Sequence, residues 1–182
     1  FLKDGRANLA EAKRYIKEAK DLADRSPHLV KLKSAVEKVE AQVLEYERLA
    51  NETVARNAAI EKDHKASDEA AAAYMKNSED FLKSQQESLA KEIEAGADAV
   101  KLKERNEKIR WMNDVIDLGN AVRIANFKAQ ALREPGLLRE GMKGFEDITR
   151  KLDGLKALTR QEVNLKQLET VRAAAKSYKD AT

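Results

Sequence analysis

Between Pro27 and Gly96 the chain reads HLVKLKSAVEKVEAQVLEYERLANETVARNAAIEKDHKASDEAAAAYMKNSEDFLKSQQESLAKEIEA (residues 28–95), without one glycine or internal proline. Those two residues break helices, glycine by backbone entropy and proline by its missing N–H and its ring. Their absence predicts one helix over 27–95. At 1.5 Å per residue it would run about 100 Å, more than a compact domain buries. Two stacked helical modules, or a rod, are therefore expected to share it. Leu29, Leu32, Val36, Val39, Val43, Tyr46 and Ala50 trace a heptad-like seam, which continues through Asn57, Ile60, His64, Ala71, Tyr74 and Phe81. The polar Asn57 and His64 mark a junction between two packing zones.

Upstream, Leu9, Ala12, Ile16, Ala19 and Leu22 or Ala23 recur at three and four, which predicts a helix over 3–23. Ser26-Pro27 ends it, and Ser26 is a natural N-cap for a helix whose first turn holds Pro27. Downstream, Gly96 is the residue type favoured just past a helix end. Helices follow over about 98–133, 137–157 and 160–180, divided by Glu134-Pro135-Gly136 and a short turn near 158. Gly141 and Gly144 lie inside the 137–157 segment and predict close packing there. The short connections imply antiparallel neighbours. The helices from 98 onward, with the second half of the long helix, would make one four-helix bundle. The helix over 3–23 and the start of the long helix would begin a second, completed by an upstream segment or another subunit.

Composition agrees with an all-α, elongated antiparallel bundle. Charged residues make up 37% and aromatics 5%, with 7 Gly and 2 Pro among 182 residues, so the core must be thin and the helices long. The charge of +3, from 35 basic and 32 acidic residues, is nearly balanced, and the two signs alternate; a nucleic-acid partner, which needs a basic stripe, is not expected. The chain has no cysteine. It has no apolar run near the roughly 20 residues of a membrane span and no signal peptide. Its first residue is Phe, and an excised fragment with membrane segments outside it is expected.

Catalytic patterns are missing. His28 and His64 are far apart, and no metal-ligand spacing, Gly-rich phosphate loop or nucleophile elbow occurs. Most carboxylates have Lys or Arg three or four residues away, the pattern of solvated helix faces. No enzyme activity, metal or cofactor is expected.

The segment Trp111 to Arg133 is the informative one. At 100° per residue, Trp111, Val115, Leu118, Val122 and Ala129 fall within about 40° of one direction, and Met112, Ile116, Gly119 and Phe127 widen this sector to about 160°. Arg123, Asn126, Gln130 and Arg133 fall in the same sector, in its second half. Charge on a core-facing stripe needs an answer. The arginines can snorkel to the edge, pair with a facing carboxylate, or bind an anionic ligand through their forked donors, with the two amides completing the site.

Asp117-Leu118-Gly119-Asn120-Ala121-Val122-Arg123-Ile124-Ala125-Asn126-Phe127, followed by Pro135-Gly136, resembles one segment of the helical bimodular sensor domains of methyl-accepting chemotaxis proteins. The specific likeness covers about 20 residues, and the order of helices and breaks extends it in outline. The resemblance implies two four-helix modules on shared long helices, each able to bind a small carboxylic acid, in a periplasmic domain between two membrane helices of an inner-membrane receptor. It places ligand-binding residues at Arg123, Asn126, Gln130 and Arg133. Some relatives carry arginine where Asn126 and Gln130 stand here, and the helix leaving the membrane has no counterpart. A homodimer through the long helices is expected. The competing reading is a structural coiled-coil or adaptor protein that binds partner helices.

Overall fold

The computed structural model describes residues 2–182. Among the described residues there are six α-helices and no strand: α1 (Leu2–Arg25), α2 (Val30–Glu94), α3 (Ala99–Leu132), α4 (Pro135–Met142), α5 (Gly144–Leu158) and α6 (Glu162–Ala181). The chain is an all-α helical bundle protein, as its glycine- and proline-poor composition requires. It divides into two units, Phe1–Glu61 and Lys62–Thr182.

Local chemistry sets several helix ends. Gly96 has φ +67° and closes α2: its N–H reaches the Ile93 carbonyl at 3.0 Å, and the Ala97 N–H reaches that of Glu92 at 2.9 Å. This is a Schellman turn, which the missing side chain of glycine makes cheap. The Asp98 carboxylate then accepts the Lys101 N–H at 2.9 Å and caps α3. Pro135 opens α4, where its fixed φ suits a first turn. Two boundaries depart from expectation. Pro27 and His28 form a turn, and α2 begins at Val30. The segment expected as one helix over 137–157 is broken at Lys143 into α4 and α5.

The first unit pairs α1 with residues 30–61 of α2 in antiparallel sense. Lys13–Glu47 at 2.5 Å, Lys20–Glu40 at 2.6 Å and Lys33–Asp24 at 3.8 Å join them in register. These pairs are largely exposed and each contributes little, about 0–1 kcal/mol. Among the described residues of this unit, Ala23 and Val36 are the buried apolar ones, while Tyr15, Leu22, Leu44, Tyr46 and Leu49 are about half exposed.

The second unit is a four-helix bundle of residues 62–94 of α2, α3, α5 and α6, with α4 capping α3. Neighbours alternate in direction around the ring. Tyr74 of α2 meets Val115 and Gly119 of α3. Trp111 and Asp114 of α3 meet Gly154 and Lys151 of α5. Lys156 of α5 meets Glu169 of α6, and Tyr178 of α6 packs on Tyr74 at 5.9 Å between ring centres. The core residues follow alternating steps of three and four. On α2 they are Ser67, Ala71, Tyr74, Ser78, Phe81 and Gln85; on α3 they run from Arg105 and Lys108 through Met112, Val115, Gly119 and Val122. Phe145, Ile148, Leu152 and Leu155 complete the centre from α5, with Leu168, Val171 and Tyr178 from α6. Gly141 lies against Ala125 and Gly144 against Val122, so the two glycines let α4 and the start of α5 sit close to α3.

Candidate functional site

The core stripes of all four helices change character toward the same end of the second unit. Past Phe81, the α2 stripe continues as Gln85, Ser88 and Glu92. Before Met112, the α3 stripe holds Lys108 and Arg105. The α5 stripe ends on Thr159, and that of α6 begins on Asn164. Arg105 is 7% exposed, Lys108 5% and Asn164 7%, so charged and amide groups occupy positions that are apolar elsewhere in the bundle. Burying them without partners would cost several kcal/mol.

The partners are present. Arg105 donates from Nε to Glu92 Oε2 at 3.1 Å and from Nη2 to Glu92 Oε1 at 2.7 Å, a side-on bidentate pair. Its Nη1 donates to Gln85 Oε1. Lys108 Nζ donates to Glu104 Oε1 at 2.7 Å. Lys101 Nζ stands 3.7 Å from Glu92 Oε1. Asn164 Nδ2 donates to Gln161 Oε1 at 3.0 Å. The Arg105 guanidinium beside Glu92 holds its carboxyl below the usual carboxylate range, against burial, which pushes the other way; Lys101 and Lys108 add to the pull. Lys108 does the same for Glu104, with Arg160 and Arg105 adding.

Glu92, Lys101, Glu104, Arg105, Lys108, Arg160, Gln161 and Asn164 line a cleft of about 290 Å³. Four cations face two carboxylates there, so the cleft carries an excess of positive charge. Its walls come from α2, α3, the turn at 159–161 and α6. A small anion entering it would touch several helices at once.

The residues expected at the ligand site lie elsewhere on α3. Arg123, Gln130 and Arg133 are exposed, and Asn126 is half-buried. The core-facing placement expected of the two arginines is corrected: α4 and α5 cover the Val122 and Ala125 side of α3, leaving Ile124 and Phe127 about half exposed and Arg123 beside them in solvent. The Arg123 guanidinium lies 5.6 Å from the centre of the Phe127 ring. Gln130 Nε2 donates to Asn126 Oδ1 at 2.9 Å, so the two amides satisfy each other. Arg133 takes the left-handed conformation, φ +57°, that terminates α3. The structure thus joins Asn126 to Gln130, sets Arg123 on Phe127, and gives Arg133 a backbone role.

Other residues singled out by sequence resolve as packing. Tyr178 is 2% exposed and meets Phe145 edge-on at 5.2 Å between ring centres. Burial raises its phenol above the ordinary value, with nearby Arg123 opposing. Met112 is fully buried, and Trp111 lies over Gly154. His28 and His64 are exposed. Arg105 and Lys108 were missed, although a signal existed: stepping back from Met112 by four and then three along the heptad lands on both.

Among the described residues, no group of three or more His, Cys, Asp or Glu side chains could hold a metal ion, and no helix is long and apolar enough to cross a membrane. Compared with family models, curated proteins and solved structures, the chain matches none of them.

Proposed function

We propose that this chain is a non-enzymatic ligand-sensing domain of the kind carried by methyl-accepting chemotaxis receptors, which binds a small organic acid between helices of its second unit. The observation that carries the reading is the cation-rich cleft around Arg105 and Lys108. A planar guanidinium, an ammonium and a buried amide form the donor set that a carboxylate needs. The cleft is walled by several helices, so a ligand there can favour one arrangement of the bundle over another. In this reading the domain sits on the periplasmic side of the inner membrane, works as a homodimer, and passes a small displacement of α6 toward a membrane helix. The likeness of residues 117–127 and 135–136 to that sensor family supports the receptor assignment.

Thermal unfolding of the purified chain with a panel of small organic acids tests it. A ligand at about 100 times its Kd stabilises by about 2.7 kcal/mol, which for a domain of this size is roughly 5–10 °C. The expected result is a shift with a carboxylate that Arg105→Gln removes and Arg123→Ala leaves in place. The reverse pattern would move the site to the exposed face around Arg123 and Arg133. No shift with any acid would count against the sensor.

A second reading has its own observation. The half-exposed Tyr15, Leu22, Leu44, Tyr46 and Leu49 of the first unit make the apolar surface that a helix-binding adaptor would offer. Binding of synthetic amphipathic helices by the chain, without a response to organic acids, would favour it.

A further inference from the structure

The arrangement around Arg105 carries a consequence for how such a ligand enters. Both carboxylate oxygens of Glu92 are engaged by Arg105, at 3.1 and 2.7 Å, and Nη1 of the same guanidinium is engaged by Gln85. All three guanidinium nitrogens therefore have protein acceptors. Three of its five N–H donors are thereby spent and Glu92 holds the Nε–Nη2 edge, so an incoming carboxylate gains that side-on, two-point contact only when Glu92 leaves. Resting on the reading that the cleft binds an anion, we infer that Glu92 is an internal competitor: its carboxylate occupies the ligand's place on Arg105, and ligand binding exchanges the Glu92–Arg105 tie between α2 and α3 for one made through the ligand.

Glu92 is placed to leave. It lies in the last turn of α2, four residues before the left-handed Gly96. Lys101, at 3.7 Å and largely exposed, offers its carboxylate a second cation nearer to solvent. Departure therefore moves the charge from a buried partner to an exposed one, without leaving it unpaired. Lys108 stays tied to Glu104 by one of its three protons and keeps two for the ligand. The competitor sets the apparent affinity: if Arg105 is free about a tenth of the time, binding is weakened about tenfold.

Calorimetric titration of the full chain with malonate tests this. Glu92→Gln keeps the size of the side chain and removes its charge, so malonate should bind about tenfold more tightly than to the wild type, or bind detectably only to the variant. Glu92→Asp, which keeps the charge but falls short of Arg105 by one methylene, should also tighten binding. Glu94→Gln removes a charge from the same helix turn and should change the affinity less than twofold. Equal affinities in wild type, Glu92→Gln and Glu92→Asp, each helical by circular dichroism, would overturn the competitor while leaving the anion site intact. Tightening by Glu94→Gln as large as that by Glu92→Gln would overturn it too, since general charge would then explain both. No binding by any form at millimolar malonate would overturn the anion site, and the competitor with it.

Discussion

Gly119 of α3 lies against the Cε1 edge of the Tyr74 ring of α2, close enough that a methyl group in place of its hydrogen would overlap the ring. The Tyr74 hydroxyl then donates to the Val115 carbonyl, one turn away on α3, at 2.5 Å. The absence of a side chain at 119 thus fixes the spacing of α2 and α3 and lets a fully buried tyrosine satisfy its polar end. Gly119→Ala should destabilise the second unit by about 1–3 kcal/mol, the range for an overpacked core, in chemical denaturation.

Gly154 plays the same part for Trp111, the only tryptophan of the chain. Gly154→Ala should push the indole off α5 and carry a spectroscopic signature that Gly119→Ala lacks, a red shift of tryptophan emission toward a more solvated ring. An unchanged emission maximum would contradict the packing described.

The two units should answer truncation differently. Phe81 has no exposed surface and sits in the centre of the second unit; Phe81→Ala should cost about 3–5 kcal/mol. Tyr46, 60% exposed in the first unit, should cost within about 0.5 kcal/mol on truncation to alanine. Denaturation curves of both variants check the contrast.

Arg133 occupies a left-handed backbone conformation that costs an ordinary residue roughly 1 kcal/mol relative to glycine. Arg133→Gly should therefore leave the protein as stable or raise its stability by up to about 1 kcal/mol. A clear loss of stability would assign the Arg133 side chain a contact of its own.

Glu92 and Glu104 predict the acid response. Arg105 lowers the pKa of Glu92 and Lys108 that of Glu104. The unfolded chain, with glutamates near pKa 4.3, binds more protons than the folded chain in the window just below that value. The stability these pairs contribute is present above about pH 4.3 and is lost as pH falls through the lower folded values. Glu92→Gln and Glu104→Gln should each flatten the fall in stability between neutral and acidic pH, measured by denaturant titration at a series of pH values.

How much of this was legible in the sequence depended on the range of the forces involved. Helix content, the turns at 96 and 134–136 and the alternating directions follow from short-range chemistry: helix-forming residues in long runs, a glycine able to take φ > 0, and a proline suited to a first turn. The break at Lys143 was not legible, since the segment 137–157 holds no proline and its glycines are tolerated within a helix. They are found where α4 and the start of α5 approach Ala125 and Val122, a relationship between helices.

The polar stripes divide in the same way. Arg105, Lys108 and Arg123 lie on α3 and Arg133 caps its end, and a helical wheel treats the four alike. The sequence by itself determined that α3 would carry cations at heptad positions or beside them. Tertiary structure alone decided which were buried. At one end of α3, Glu92 and Gln85 of α2 accept from Arg105 and Glu104 accepts from Lys108, which makes their burial tolerable; at the other, α4 and α5 cover only the Val122 and Ala125 side, leaving Arg123 and Arg133 in water. A buried charge is stable only where partners meet it, and for Arg105 those partners come from another helix, a convergence that lies outside any single stretch of sequence.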